Sequence, residues 1–405
     1  MIHVGIDWSD KTHCFCILDD EGKKLSSFEI VHGEKGFQSA HSRMVSYARP
    51  EEARVAIETK DSLLVDFLSE LGYTLYFLNP KQTDRFRDRH RMSRSKSDAF
   101  DAYVLADAVR TDPHLFNALP PLDGISLHLR VLTRTREGLV SRKVAVQNEI
   151  TAYLKRYFPA ALTLFGGIDN PEAIAFLLQY PTYEQAITVS QTRIASLLTR
   201  ESGVSRAIAE RHAAKAHASL REPQPAPTAS VAHAYPIAVK SLLRQLHSIL
   251  IEISALNEEI VKVYKNHPNK ELVESLPGIA EILGPVITSE IGSDITRFSN
   301  VKALKAFAGS SPVTEQSGKY RCVHIRWACN AHLRRAFHLA SQAALLTATW
   351  ARELFDRLRS EGKSYGRSLR AVADQLIEIL YVVLLRRTPY DETYHLRMKA
   401  LHGQA

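Results

Sequence analysis

Cysteine is scarce in this chain, with four among 405 residues. Cys14 and Cys16 flank a single residue, while Cys322 and Cys329 stand far downstream. Neither pair has zinc-ligand spacing, and nothing points to a secreted disulfide framework. Long apolar runs are missing too: none approaches the ~20 residues that span a bilayer, so a membrane is not an expected partner. The opening MIHVGIDWSDK has neither a basic n-region nor a small-residue cleavage site, and is read as a strand rather than a signal peptide. There is no GxxxxGKS or GxxxxGKT, which removes P-loop nucleotide chemistry. These absences leave a reduced, cytoplasmic protein without structural zinc.

What is present is core and positive charge. Hydrophobic residues make up 45% of the chain, the formal net charge is +8 and the isoelectric point is about 9.2. Such a balance favours a polyanionic partner without specifying a fold. The length suits two or three domains.

Strand and helix signals alternate over residues 1–115. HVGIDWS, THCFCILD and KLSSFEIV read as three strands joined by close turns. A helix over residues 37–47 follows, then the strand ARVAIE ending at Glu58, the helix SLLVDFLSEL stopping at Gly72, and the strand YTLYFLNP. An alanine-rich helix over residues 97–109 completes the order β-β-β-α-β-α-β-α, which is that of a ribonuclease-H-like core. Residues 116–268 form a helical region. It holds one long helix over 125–157 and another over 237–264, with Leu242, Leu246, Ile249, Ile253, Leu256 and Ile260 spaced by three and four. That stripe suits a coiled coil, an antiparallel hairpin or an ordinary amphipathic helix equally. The Pro/Ala-rich stretch 221–236 between them reads as a linker. Residues 269–405 read as a mainly helical C-terminal domain.

Four carboxylates stand out by position. Asp7 and Glu58 end apolar strands that neighbour one another in such a sheet. Asp98 and Asp101, at i and i+3, share one face of a helix. Clustered hard oxygen ligands are what metal-assisted phosphodiester chemistry needs, and their mutual repulsion calls for a cation. Just upstream, RFRDRHRMSRSK holds Arg85, Arg87, Arg89, Arg91, Arg94 and Lys96 against Asp88 alone, and is read as a mobile loop that grips a phosphate backbone. Near the other end, LVESLPGIAEILGPVITSEIG reads either as a helix-hairpin-helix that presents turn amides to phosphate or as a plain helix turn. FAGSSPVTEQSGKYR follows, with Ser310, Ser311, Thr314 and Ser317 as equivalent hydroxyl candidates on chemistry alone. Gly318 allows close backbone approach to a phosphate, and Lys319 and Arg321 supply charge for its oxygens. His324, Arg326, Arg334 and Arg335 form a second basic group.

GIDWSD, AIET, FLNP and KSDAFDA resemble the RuvC-like DEDD domain of bacterial insertion-sequence transposases, in particular the insertion-sequence-110 family. FAGSSP followed by Gln316-Ser317-Gly318 resembles that family's C-terminal transposase domain, as do the terminal helices EGKSYGRSLRAVADQLIEILYVVLLRR. The resemblance covers about the first 110 and last 130 residues. It implies Mg²⁺ held by Asp7, Glu58, Asp98 and Asp101, with Ser317 as the nucleophile. It further implies a covalent phosphoserine intermediate, element-end and target DNA as partners, a noncoding bridge RNA, a homo-oligomer (dimer or tetramer) and a nucleoid-associated bacterial location. Two departures stand out. Thr59-Lys60-Asp61 replaces a small residue, threonine and glycine after the glutamate, and Trp327-Ala328-Cys329 precedes Asn330 where the family often has lysine and glycine. The rival readings are a RuvC-like metal-dependent junction nuclease that uses water, and a catalytically silent nucleic-acid-binding protein.

Overall fold

The structure, a computed structural model, describes residues 1–59, 62–90, 97–116, 123–318 and 320–402. It divides into two compact units, Met1–Leu122 and Asp123–Ala405.

The first unit is built on a five-stranded sheet. β1 (Ile2–Trp8), β2 (Thr12–Leu18) and β3 (Lys24–Val31) form an antiparallel meander, and β4 (Ala53–Ile57) and β5 (Thr74–Phe77) add in parallel, giving the order β3-β2-β1-β4-β5. Parallel addition requires crossovers, supplied here by α1 (Glu34–Val45) and α2 (Leu63–Glu70). These two helices bury Phe37, Met44, Leu64 and Leu68 against Val4, Ile6, Phe15, Ile17, Val55 and Ile57 on one face of the sheet. α4 (Asp98–Thr111) covers the other face, where small residues meet: Cys16, Ala102 and Ala106 in one cluster, Ala56 and Ala108 in another.

The basic segment departs from expectation. Residues 85–90 are not loop but the second half of α3 (Pro80–His90). Asn79 and Gln82 explain it. The Gln82 N–H donates to Asn79 Oδ1 at 3.0 Å while the Asn79 N–H donates to Gln82 Oε1 at 3.1 Å, a reciprocal cap with Pro80 at the first helical position. The strand-closing Asn-Pro therefore also starts a helix.

In the second unit, α5 (Gly124–Tyr157) and α10 (Ala229–Tyr264) form a long antiparallel pair: Leu129 meets Ile260 and Tyr264 at one end, and Ile150 and Leu154 share a core with Leu242, Leu243 and Leu246 at the other. The short helices α6 (Pro171–Gln179), α7 (Tyr183–Ala186), α8 (Gln191–Ser202) and α9 (Arg206–Leu220) pack around that latter end. The stretch 221–236 is not a linker throughout, because α10 begins at Ala229 and contains Pro236. Proline fits here in the third turn because its ring is buried, and the packing offsets the lost backbone hydrogen bond.

The remaining core is helical. α11 (Lys270–Glu274), α12 (Leu283–Ile291), α13 (Val301–Ala308), α14 (Ala331–Thr347), α15 (Thr349–Ser360) and α16 (Tyr365–Arg386) enclose Trp350, Phe337, Ile287 and Leu380, with α17 (Glu392–His402) following. The turn between α11 and α12 packs inward. Gly278 has φ +77, and a Cβ there would lie 2.2 Å from the Ala340 carbonyl oxygen of α14, so the turn serves helix packing at this point. Between α13 and α14 the helical pattern breaks for a two-stranded ribbon, β6 (Val313–Ser317) and β7 (Tyr320–His324). Among the described residues no helix is long and apolar enough to cross a membrane.

Candidate active site

Gly5 sets the acidic end of the first unit. A Cβ at this position would sit 1.9 Å from the Ala102 carbonyl oxygen and 2.4 Å from the Ala106 nitrogen, so only glycine lets α4 lie this close to β1. Asp7 is two residues further along the strand on the same face. The start of α4 supplies Asp98 and Asp101, with Ser97 capping the helix by accepting from the Phe100 N–H at 3.3 Å. Glu58 follows the end of β4, the parallel neighbour of β1.

Electrostatics reports the convergence. The Asp7 carboxyl is pushed up to about 6, first by burial and then by the charges of Asp101, Asp98 and Glu58, with Arg87 opposing. Across the ladder, Cys14 pairs with Asp7, and its thiol is pushed up to about 11 by burial and by Glu29, Asp98 and Asp7. Excess negative charge with hard oxygen donors suits a divalent cation, which would relieve the repulsion on Asp7. Among the described residues, however, no three Asp, Glu, His or Cys side chains stand gathered as a ready-made ligand set. Asp101 is already engaged within the chain. Arg87, reaching from α3, donates from Nε to Asp101 Oδ1 at 2.9 Å and also pairs with Asp84.

Arg87 is thus turned inward, with its side chain only 14% exposed, rather than outward toward a phosphate backbone. Arg85 lies exposed on the same helix. Arg89 is exposed too but ties α3 to the end of α4, donating to Asp112 at 3.3 Å. Arg91, Arg94, Lys96 and Lys319 lie outside the described residues.

Ser317 ends β6 at the tip of the ribbon, directly opposite Tyr320, and both are exposed. Gly318 turns the chain with φ +56, a left-handed conformation that favours glycine. Arg321 lies exposed opposite Gln316. The other hydroxyl candidates differ in setting. Ser310 donates to Asp374 at 2.8 Å, beside a Lys305 ammonium that bridges Asp374 and Glu378. The Ser311 carbonyl accepts from Arg326 Nε at 3.2 Å, and Thr314 sits on the ribbon opposite Val323. Ser317 and the four carboxylates belong to different compact units.

Some residues carry more than their sequence signal suggested. Asn330 caps α14 through the Leu333 N–H at 3.0 Å and donates from Nδ2 to the buried Glu290 at 2.6 Å, while Arg134 grips Glu290 at 2.8 and 3.0 Å. Although burial pushes the Glu290 carboxyl up, the bonds from Arg134 and Asn330 hold it below its ordinary value. Sequence spacing gives no sign of this network, because Arg134 and Glu290 lie 156 residues apart. Gly5 had a signal, the glycine of GID two positions before a strand-end aspartate.

Two family models match the chain. One, for the DEDD domain of IS110 transposases and described as Transposase, covers residues 4–159; the other, described as Transposase IS116/IS110/IS902 family, covers residues 270–356. The chain is 31% identical over 397 residues to the mini-circle putative transposase for IS117 of Streptomyces coelicolor, spanning 96% of this chain and 95% of that protein. A putative transposase y4uE of Sinorhizobium fredii is 33% identical over 201 residues, which is 49% of this chain and 56% of the relative. The insertion element IS110 uncharacterized 43.6 kDa protein of Streptomyces coelicolor is 25% identical, with 96% and 95% covered.

Proposed function

Because the chain belongs to the IS110/IS116 family of transposases and is a DNA transposase, we propose that it cuts and rejoins DNA through a covalent phosphoserine intermediate on Ser317. The observation that carries the metal half of this reading is the Asp7 carboxyl, raised to about 6 by burial and by the charges of Asp101, Asp98 and Glu58. A DEDD-type domain points to divalent-metal dependence in general, and Mg²⁺ suits an all-carboxylate set that leaves room for water and phosphate. The sheet order β3-β2-β1-β4-β5 supports a ribonuclease-H-like domain.

Asp7, Glu58, Asp98 and Asp101 would hold the ion, whose charge would polarise the scissile phosphate. Ser317 Oγ attacks phosphorus and loses its proton. The bond from phosphorus to the 3′ oxygen breaks, and that oxygen leaves as a 3′-hydroxyl after taking up a proton. A 3′-hydroxyl from another strand then attacks the phosphoserine, reforms a phosphodiester and returns the serine. One bond is made for each bond broken, so no nucleotide triphosphate is consumed. Exposure of Ser317 on a ribbon tip suits a nucleophile that must reach a large substrate, and Arg321 offers charge for the phosphoryl oxygens. Element-end and target DNA are the substrates, a noncoding bridge RNA selects them, and the chain works as a homo-oligomer, a dimer or tetramer.

The test is a protein–DNA adduct on a denaturing gel in the presence of Mg²⁺. Wild type forms it; Ser317→Ala does not, and Asp7→Ala or Asp98→Ala suppresses it. An adduct that survives Ser317→Ala excludes this nucleophile, and strand cleavage without any adduct favours the water-using junction nuclease. Sequencing RNA copurified from cells tests the guide.

A further inference from the structure

Trp327 is 77% exposed, whereas Trp350 is buried and Trp8 half-buried, and the chain has three tryptophans in all. A lone exposed apolar side chain needs no partner, but an indole set among other exposed aromatics and cations is a ready contact surface. The loop that presents it is pinned at both ends. Arg326 Nε donates to the Ser311 carbonyl at 3.2 Å, and the Asn330 N–H donates to the Phe307 carbonyl at 2.8 Å. Cys329 fills the space beside Gly309, where a Cβ would come within 2.6 Å of its sulfur. The backbone that carries Trp327 is therefore held on both sides.

Its surroundings are cationic. The Arg334 guanidinium lies 5.7 Å from the indole centroid, and Arg334 Nη1 also donates to the Arg326 carbonyl at 3.3 Å, which steadies one side of the ring. Arg321 is exposed on β7 of the preceding ribbon, and Tyr320, 63% exposed, stands opposite Ser317 at its tip. From Val313 to Ser317 the ribbon spans about 13 Å, at about 3.3 Å per residue. One exposed aromatic therefore sits at the tip beside Ser317 and another just past the base, with arginines alongside. Exposed tryptophan, tyrosine and arginine also mark protein interfaces. The net charge of +8 and the place of these side chains beside Ser317 nevertheless favour a polyanion, and aromatics interleaved with cations are the chemistry that holds single-stranded nucleic acid.

We propose that Trp327 is a stacking platform for an unpaired nucleobase of the strand engaged at Ser317. This rests on the strand-transfer reading above for its use, but not for its test. The experiment uses the full-length Ser317→Ala protein, so failure of the covalent chemistry leaves it untouched. A single-stranded deoxyoligonucleotide, the ribonucleotide strand of the same sequence and the matching DNA duplex are titrated while tryptophan emission is followed. Quenching by a single strand, stronger than by duplex, is expected, and whichever strand binds tighter identifies the source of the base as DNA or RNA. Trp327→Ala should abolish the quenching and weaken single-strand affinity about tenfold, with Trp327→Phe retaining most of it. Affinity unchanged in Trp327→Ala, or equal quenching by duplex, overturns the proposal. So does absence of quenching together with a smaller oligomeric mass for Trp327→Ala, which would make the indole a contact between copies of the chain.

Discussion

Arg87 Nε and an Asp101 carboxylate oxygen are 2.9 Å apart, with the two side chains 14% and 16% exposed. One of the four acidic residues thus carries a counter-ion from the chain itself. At this depth the pair is neither a weak surface bridge nor a fully buried one. A divalent ion binding to Asp101 must share the carboxylate or displace the guanidinium. Arg87→Ala is expected to lower the stability of the metal-free protein by about 1–3 kcal/mol, because Asp101 is left facing Asp7 and Asp98 uncompensated. The same substitution should enlarge the rise in Tm on adding Mg²⁺. Thermal unfolding of both proteins with and without Mg²⁺ decides it, and equal metal-induced shifts would show that Arg87 does not compete with the ion.

Asp7 gives this site a pH dependence of definite sign. Its carboxyl titrates at 3.8 in the unfolded reference and at about 6 in the fold, chiefly through burial and then through Asp101, Asp98 and Glu58. Between those values the folded state binds more protons, so this stability contribution is complete below about 4 and is lost as pH rises through about 6. A bound cation replaces the proton. Stabilisation by Mg²⁺ should therefore be small at pH 5 and grow toward pH 7, and Asp7→Asn should remove most of that growth. A set of Tm measurements across that range, with and without the ion, is the check.

The first unit was legible because its elements carry strong local signals: apolar runs of strand length, Gly72 as a stop, and a carboxylate near the ends of two neighbouring strands, β1 and β4. Family motifs alone singled out Ser317, whose role as nucleophile is a proposal. Two misreadings share a cause, that a proline or a charge run was taken as a breaker. Asn79-Pro80 does end a strand, yet Pro80 occupies the one helical position that needs no N–H, and α3 continues through Arg85, Arg87 and Arg89. Pro236 sits within α10 because tertiary packing outweighs its local cost. The Arg87–Asp101 and Arg134–Glu290 pairs could not be read at all. Each joins separate helices, and nothing in a linear pattern says which arginine of several turns inward.

Asn330 couples a helix cap to a buried charge, and the two roles separate by substitution. Aspartate and serine cap about as well as asparagine, so the Leu333 N–H stays satisfied with any of them. Asparagine also donates, through Nδ2, to Glu290, which an ionised aspartate cannot do. Asn330→Asp sets a second carboxylate against a buried one and is expected to cost about 3 kcal/mol, well beyond Asn330→Ser. Arg134→Ala, which leaves Glu290 without its two-pronged partner, should cost about 3–5 kcal/mol. Denaturant unfolding of the three variants ranks them, and equal loss for the aspartate and serine variants would mean that the cap alone matters.

Asp123 provides the opposite pH signature in the second unit. It caps α5 by accepting from the Ser126 N–H at 3.0 Å and hydroxyl at 2.7 Å, and it accepts from the Ser293 N–H at 2.9 Å. Burial alone would raise its carboxyl, but these bonds from Ser126 and Ser293 bring it down to about 2. With a depressed folded value, its contribution is complete above about 4 and disappears as pH falls toward 2. Asp123→Ala should cost about 1–2 kcal/mol at neutral pH, the usual loss for a cap. Asp123→Asn keeps an accepting oxygen without the charge. It should lose less at neutral pH and show a shallower fall in Tm between pH 4 and pH 2 than the wild type. Parallel slopes for the two proteins would place the acid sensitivity of this unit elsewhere.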